Sequence, residues 1–348
     1  MMKVARLYAP GRLELEMDPD PEPGPGELVI RVRACALCGT DLKIFRHGHS
    51  HLVLPRVLGH EIAGEVVALG EGITNWVPGD RVQVIAAIPC GECRYCRRGF
   101  QTVCENLESI GYHYDGGFAT FIRIPAKVIR QDGLHRIPDG LSYEAAALAE
   151  PLACVLNGQE QVGTGPGDTV VVLGSGPIGC MHVWLARARG VDRIFLIDVD
   201  ATRLRMAAER VEPDEAICSM EIDPVERVLR LTHGYGSDVI IVAAPSAQAV
   251  EQAIAMAARR GRICLFAGLP KEQPMVQCNA NQIHYRELTV VGAYGSTPSQ
   301  NQRALDLIAR GEVPVERLIT HRLPLDRIME GLQLMAQGKA LKVVITPS

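Results

Sequence analysis

Two rhythms of apolar and polar residues divide this chain of 348 residues. Up to residue 150 the apolar runs are short: "ELVIRVRACALC", "EIAGEVVALG", "RVQVIAAI" and "FATFIRIP". Gly and Pro clusters such as "PDPEPGPGE" and "VPGDRV" separate them. Short β-prone runs bounded by turn formers predict a compact antiparallel β domain. The segment 142–162, "SYEAAALAEPLACVLNGQEQV", is helical in composition and leads out of it.

From residue 168 the pattern changes. "DTVVVLG" is a continuous apolar strand, followed by a turn and the helical "IGCMHVWLARARG". Strand "RIFLIDV", helix "DATRLRMAAER", strand "SDVIIVAA", helix "AQAVEQAIAMAARRG" and strand "RICLFAG" follow. "LTVVGAYG" offers one more strand. Strands alternating with helices predict an α/β architecture with a parallel, doubly wound sheet. The tail, "NQRALDLIARGEV" and "LDRIMEGLQLMAQGKALKVVITP", reads as helix and then a final strand.

Composition narrows the class. Apolar residues make up 47% and charged residues 22%, a soluble globular balance. Net charge is −4 and no basic stripe is visible, which argues against nucleic acid as a partner. Nothing supports amphipathic membrane binding. "MMKVARLYAPGRLELE" carries no apolar core of a signal peptide. The most apolar stretch, "TVVVLGSGPIGCMHVWLARA", is interrupted by three Gly and a Pro, so it reads as strand, turn and helix rather than a membrane span. A cytoplasmic protein is expected.

Within that stretch, Gly174-Ser175-Gly176-Pro177-Ile178-Gly179 is a G-x-G-x-x-G match. Alone it is a weak signal. Here it follows a strand, opens a helix and is followed by Asp198 at the end of the next strand. Gly174 allows the tight turn, Gly176 lets the backbone approach a pyrophosphate, and Gly179 lets helix and strand pack closely. Asp198 can accept hydrogen bonds from ribose hydroxyls and would repel a 2′-phosphate, which favours NAD over NADP. Arg203 stands close enough to complicate that preference.

Cysteines number eleven. In a reducing compartment, disulfides are not expected and metal binding is. Cys90, Cys93, Cys96 and Cys104 follow the spacing C-x2-C-x2-C-x7-C. Four thiolates suit a closed, structural Zn²⁺ site. An iron–sulfur cluster is the rival, and zinc is favoured. Cys154, Cys180, Cys218, Cys264 and Cys278 read as small buried hydrophobes. A looser constellation consists of Cys38, Thr40, His60, Glu61 and Glu150. Cys, His and carboxylate with an open fourth position form a ligand set for catalytic zinc. Each of these residues alone reads as ordinary packing, and spacing does not assemble them. His47, His49 and His51 alternate in "RHGHSHLVLP". Three His on one strand face could bind a metal, but a solvated loop fits this polar run better.

Together these residues resemble the zinc-dependent medium-chain dehydrogenase/reductase family, and are most similar to its polyol (sorbitol-type) and threonine dehydrogenase branch. The resemblance runs through "CGTDLK", "GHEIAGEV", "GDRV", the four-cysteine lobe, "DGGFATF", "EPLACV", "GSGPIG" and "RELTVVGAYG", nearly the whole chain. It implies a GroES-like catalytic domain over 1–153 with a structural zinc lobe near 89–105. It further implies a Rossmann NAD-binding domain over 154–295, a segment 296–348 returning to the catalytic domain, and an active site between the domains. It implies two zinc ions per chain. Cys38 and His60, with Glu61 or Glu150, would hold the catalytic ion, and the four clustered cysteines the structural one. Cofactor contacts are implied at Ile178, Asp198 and Arg203, at Ala267, Gly268 and Leu269, and at Ala293 and Tyr294. Thr40 would pass the alcohol proton outward, and Lys43 stands where many relatives carry a relay histidine. Lysine can relay a proton only with a lowered pKa. Phe45, Tyr112 and Tyr114 are candidate pocket residues. The implied reaction is oxidation of a secondary alcohol, a polyol first, by NAD, in a homo-oligomer (tetramer or dimer). Alternatives are a hydroxy amino acid substrate such as threonine, a zinc-free enone or quinone reductase, and a nucleotide sensor without turnover.

Overall fold

The computed structural model describes residues 1–49 and 52–347. Contacts divide the chain into two compact units. The first comprises Met1–Ala153, Gly295–Gly311 and the chain from Val315; the second comprises Cys154–Tyr294 and Glu312–Pro314.

The first unit is built around a seven-stranded sheet. Its spatial order is Leu134–Arg136, Arg81–Val84, Glu61–Leu69, Leu28–Ala36, Lys342–Thr346 and Ile319–Pro324, with Phe121–Ile124 also paired to Leu28–Ala36. Leu28–Ala36 is central and buried except at half-buried Arg31 and Arg33, which explains why its apolar pattern is broken only at those two positions. The ladders within Leu28–Arg136 are antiparallel, as the sequence pattern predicts. The C-terminal pair is parallel, so the sheet is mixed. Ile319–Pro324 went unread in the sequence because its buried positions are sparse and His321 and Arg322 interrupt them. Ala36 is the register partner of both Glu61 and Val344. The start of Lys342–Thr346 therefore lies beside the strand end where Leu37 and Cys38 follow, and Leu37 N–H donates to the Val343 carbonyl at 2.9 Å.

The second unit holds six parallel strands in the order Glu215–Cys218, Arg193–Asp198, Thr169–Leu173, Ser237–Val242, Ala257–Leu265 and Thr289–Gly292. The expected alternation of strand and helix holds, with one shift. The helix expected through "AARRG" stops at Met256, and Ala257–Leu265 is strand. Buried Ala257 and Ala258 extend along Ser237–Val242, and Arg260 at φ 60° absorbs a register shift that a helix could not. Alanine-rich pattern does not distinguish these outcomes. Among the described residues, no helix is long and apolar enough to cross a membrane.

Candidate functional site

Where Leu28–Ala36 ends, Cys38 caps the helix Gly39–His47 in extended conformation. Its backbone N–H donates to Asp41 Oδ2 at 2.9 Å, a bond across the first helical turn that fixes the Cys38 backbone. The other carboxylate oxygen, Oδ1, lies 3.6 Å from His60 Nδ1. Gly59 precedes His60 at φ 93°, and a Cβ there would come within 2.7 Å of Cys35 Sγ, so only glycine allows this approach. Ligand atoms of Cys38, His60 and Glu61 lie within 4.8 Å of one another. Elements far apart in sequence thus bring a thiol, an imidazole and a carboxylate together.

The surroundings are charged yet dry. His60, Glu61, Glu150, Asp41 and Lys342 are all buried. Lys342 Nζ donates to Glu61 Oε1 at 2.7 Å, lies 2.6 Å from Oε2, and donates to the Leu37 carbonyl at 3.1 Å. Burial pushes the Glu61 carboxyl up, Lys342 opposes it and Glu150 adds to it, leaving Glu61 at about 7. Burial lowers the His60 imidazole, but Asp41 and Cys38 outweigh that and hold it well above its ordinary value. Dry acidic groups that raise the affinity of a neighbouring base for a cation are suited to a metal ion. The thiol, imidazole and carboxylate donor set suits zinc. With Nδ1 turned to Asp41, Nε2 is the nitrogen left for it. Glu150 stands outside the trio and acts on Glu61 through its charge.

Thr40 is half-buried on the same helix and Lys43 is exposed. Tyr112 leans over His60 with ring centroids 6.3 Å apart, and His49 meets Tyr112 edge-on at 5.2 Å. Phe45 is partly buried against the core. The Tyr114 hydroxyl donates to Glu108 at 2.9 Å, and burial together with that carboxylate pushes it up to about 12. His47 ends a helix, so it does not share a strand face with His49, and both are exposed. His51 lies outside the described residues.

Cys90, Cys93, Cys96 and Cys104 form a second group with sulfurs within 4.8 Å of one another. Backbone N–H groups point at the sulfurs, from Cys93 to Cys90 at 3.3 Å, Cys96 to Cys93 at 3.5 Å, and Cys90 and Asn106 to Cys104 at 3.2 and 3.3 Å. The Cys96 N–H and other backbone donors pull the Cys93 thiol down to about 6, whereas burial lifts Cys96 to about 12. Among the described residues, Tyr95 and Leu107 are the apolar neighbours packed on these thiols, so the lobe has almost no core of its own. Four convergent sulfurs with no open position fit a closed tetrahedral zinc site. Among the scattered cysteines, Cys180, Cys218 and Cys264 are buried as expected. Cys154 is only half-buried, and Cys278 is exposed because the stretch around it carries few core contacts.

In the second unit, Gly174 follows strand Thr169–Leu173 at φ 110°, a conformation that favours glycine. A Cβ on Gly179 would sit 1.8 Å from the Gly174 carbonyl oxygen, so the turn closes only with glycine. Gly176 caps helix Pro177–Ala188 without a side-chain partner, and a Cβ there would meet nothing within 4 Å. That open face before the N–H groups of a twelve-residue helix fits a pyrophosphate. Ile178, Ala267, Leu269 and Ala293 are partly buried, while Gly268 and Tyr294 are exposed. Asp198 differs from expectation. It is not a bare acceptor, because Arg203 Nε and Nη2 bond it at 3.1 and 2.6 Å, and Ser175 donates from N and Oγ at 2.6 and 2.8 Å. Burial lifts this carboxyl, but Arg203, Asp200 and Ser175 hold it below the usual range.

The comparisons agree with this arrangement. Residues 24–139 match the model of the alcohol dehydrogenase GroES-like domain, and residues 177–310 that of the zinc-binding dehydrogenase. The chain is 34% identical to sorbitol dehydrogenase of Halalkalibacterium halodurans over 326 residues, 92% of each chain. The chain belongs to the zinc-binding alcohol dehydrogenase family. It is also 34% identical to L-threonine 3-dehydrogenase of Bacillus licheniformis, covering 92% of this chain and 91% of that one. A Sinorhizobium meliloti 1021 protein described as a zinc-binding dehydrogenase, bound to NADP, superposes with TM-score 0.93 at 35% identity, over 100% of this chain and 99% of that one. The chain is thus an oxidoreductase of this family, with a GroES-like and a Rossmann domain.

Sequence reasoning missed three residues that build these sites. Asp41 had a readable signal, an acid three residues after the helix-capping Cys38. Lys342 had one too, as a lone cation entering the apolar run "KVVIT". Ser175 occupies a variable position of the glycine motif, and only the fold brings it to Asp198.

Proposed function

We propose that this enzyme oxidises a secondary alcohol, a polyol or sugar alcohol in the first instance, with transfer of hydride to NAD. The observation that carries the reading is the trio of half-buried Cys38 with buried His60 and Glu61, within 4.8 Å, in a chain that also has an open glycine cradle. Zinc held by these residues would supply a Lewis acid for the substrate hydroxyl, and the nicotinamide the hydride acceptor. Cys38 is set by Asp41 through the capping bond, and His60 is oriented by the same carboxylate. Lys342 holds the Glu61 carboxylate through both oxygens and, with Glu150 near, leaves two acids for one metal position. The Thr40 hydroxyl takes the substrate proton outward. Lys43 is exposed on the helix that carries Thr40. Tyr112 leaning over His60 supports its place in a substrate pocket. Cys90, Cys93, Cys96 and Cys104 hold a second, structural zinc.

Similarity to both sorbitol and threonine dehydrogenases keeps L-threonine as the second substrate reading. The NADP bound to the Sinorhizobium relative keeps both nicotinamide cofactors in view. A second copy of the chain is the proposed partner of Thr289–Gly292, the outermost strand of its sheet, where Val290 is exposed. The deciding experiment measures bound zinc and NAD reduction across polyols and L-threonine for the enzyme and Cys38→Ser. Two zinc ions per chain falling to one, with turnover lost, is expected. Unchanged turnover in Cys38→Ser sinks the assignment.

A further inference from the structure

From Gly179 to Ala186, helix Pro177–Ala188 is buried without a break, and His182 is enclosed there beside Met181, Val183 and Leu185. Its side chain has few polar contacts. The Gln159 amide nitrogen donates to the His182 carbonyl at 2.8 Å and lies 3.4 Å from Nδ1. An amide nitrogen only donates, so Nδ1 is the acceptor and the ring proton sits on Nε2. Among the described residues, Nε2 has no hydrogen-bond partner, although it is shut off from water. What stands against the imidazole is the Phe266 ring, at 89° with centroids 4.8 Å apart. Gly158 makes the room: a Cβ there would come within 2.8 Å of Phe266 Cδ2 and 3.4 Å of His182 Cε1. Burial, with Arg189 adding to it, pulls this imidazole down to about 3, so at neutral pH the ring is uncharged and has one proton to offer.

A leucine would fill this place without an enclosed polar atom, so packing alone does not explain the imidazole. Its neighbours do. Helix Pro177–Ala188 starts at the glycine turn, about one turn before His182. Phe266 directly follows strand Ala257–Leu265 and leads into Ala267, Gly268 and Leu269. The N–H groups of Phe266 and Ala267 both donate to the Val242 carbonyl, at 3.1 and 3.0 Å, which pins the backbone where the strand ends. Both segments stand at the carboxyl ends of parallel strands, the edge where an open α/β sheet takes its ligand. We propose that His182 is a positioning residue for the dinucleotide: its Nε2–H donates to the face of the Phe266 ring and so holds Ala267–Leu269 in place relative to the glycine turn. An N–H···π contact is weak in water, but in a dry interior it spares this donor from having no acceptor. Gln159 orients the imidazole, and Gly158 admits the Phe266 ring to it. This inference rests on the dinucleotide reading of the glycine cradle.

The test pairs thermal melts with NADH titrations of the zinc-loaded enzyme, followed by cofactor fluorescence. His182→Leu removes the N–H together with an enclosed polar group. It should melt no earlier than the parent, while its NADH dissociation constant rises by about tenfold. His182→Gln, whose amide reaches about as far as Nε2, should bind NADH within about threefold of the parent. Phe266→Leu should match His182→Leu, and the double variant should lose no more than either alone, because both act through one contact. Unchanged NADH affinity in a folded His182→Leu overturns the positioning role. So does a loss that only follows a fall in melting temperature, or a double-variant loss equal to the product of the single ones. Should His182→Leu fail to fold, Phe266→Leu and His182→Gln decide: weakened binding in the first with retained binding in the second supports the role, and any other pairing overturns it. No NADH binding by the parent removes the dinucleotide reading and this inference together, whereas binding by the parent and equally by the variants removes this inference alone.

Discussion

The Lys342 ammonium lies 2.6 Å from one oxygen of Glu61 and 2.7 Å from the other, joining residues 281 apart in sequence. Both side chains are almost wholly buried, so neither charge has water to fall back on. Removing one partner of such a pair costs about 3–5 kcal/mol, mostly because the other is left uncompensated. Lys342→Met should therefore destabilise the first unit by about that amount. Lys342→Met with Glu61→Gln should recover most of the loss, since no charge is then stranded. Chemical denaturation of the parent, both single variants and the double variant gives the coupling directly. A double variant no more stable than Lys342→Met would show that the pair is not the unit described here.

The four-cysteine lobe calls for the opposite pattern. With Tyr95 and Leu107 the apolar residues packed on the thiols among the described residues, a metal is the natural source of its order. Cys93→Ser should release one zinc ion per chain, expose the segment near 89–105 to proteolysis and lower the melting temperature. Turnover per folded molecule should change less than about twofold, because the closed four-sulfur set has no position for substrate. If turnover collapses while the melting temperature holds, the roles of the two metal groups are reversed.

These two sites differ in how much of them a sequence can disclose. The cysteine lobe is local, and spacing alone announced it. The glycine turn was equally plain, because each glycine answers a short-range contact such as the Gly179 approach to the Gly174 carbonyl. Cys38, His60 and Glu61 could be named as ligand types but were assembled into one site only through family resemblance, since strand register rather than spacing brings Cys38 to the adjacent His60 and Glu61. Lys342 was not named, and Ser175 was named only as a variable position of the glycine motif, with no role. Their roles depend on pairings, Ala36 with both Glu61 and Val344, and the glycine loop with Asp198, that arise only in the folded sheets. Helix against strand at Ala257 and Ala258 was lost for a different reason: small apolar residues satisfy both periods.

The two glycines of the turn should separate folding from cofactor binding. A methyl group at Gly179 would overlap the Gly174 carbonyl, so Gly179→Ala should cost about 3 kcal/mol or more through forced backbone movement. Gly176 has φ −69° and open space beyond it, so Gly176→Ala should fold normally. Its methyl group would occupy the surface offered to the pyrophosphate, and NADH affinity should fall by about tenfold or more. Thermal melts paired with NADH titrations test both. Undiminished NADH binding in Gly176→Ala would place the cofactor elsewhere.

Acid should weaken the first unit through His135, away from either metal group. This residue sits opposite Gln83 in the sheet and is buried, and burial pulls its imidazole down to about 4 despite Gln302, Asp132 and Asp306. The sign follows from which state binds the proton. Above pH 6.5 the imidazole is neutral both folded and unfolded, and it contributes no pH dependence. Between about 6.5 and 4 the unfolded chain takes up a proton that the folded chain refuses, so stability falls as pH falls. The total is at most about 3 kcal/mol, from the size of the displacement and 1.36 kcal/mol per unit. His135→Gln removes the titration while keeping an amide that can bond Gln302. Stability of the parent relative to this variant should be level above pH 6.5 and decline steadily towards pH 4. A difference that stays constant across that range would mean that His135 is hydrated in the folded chain.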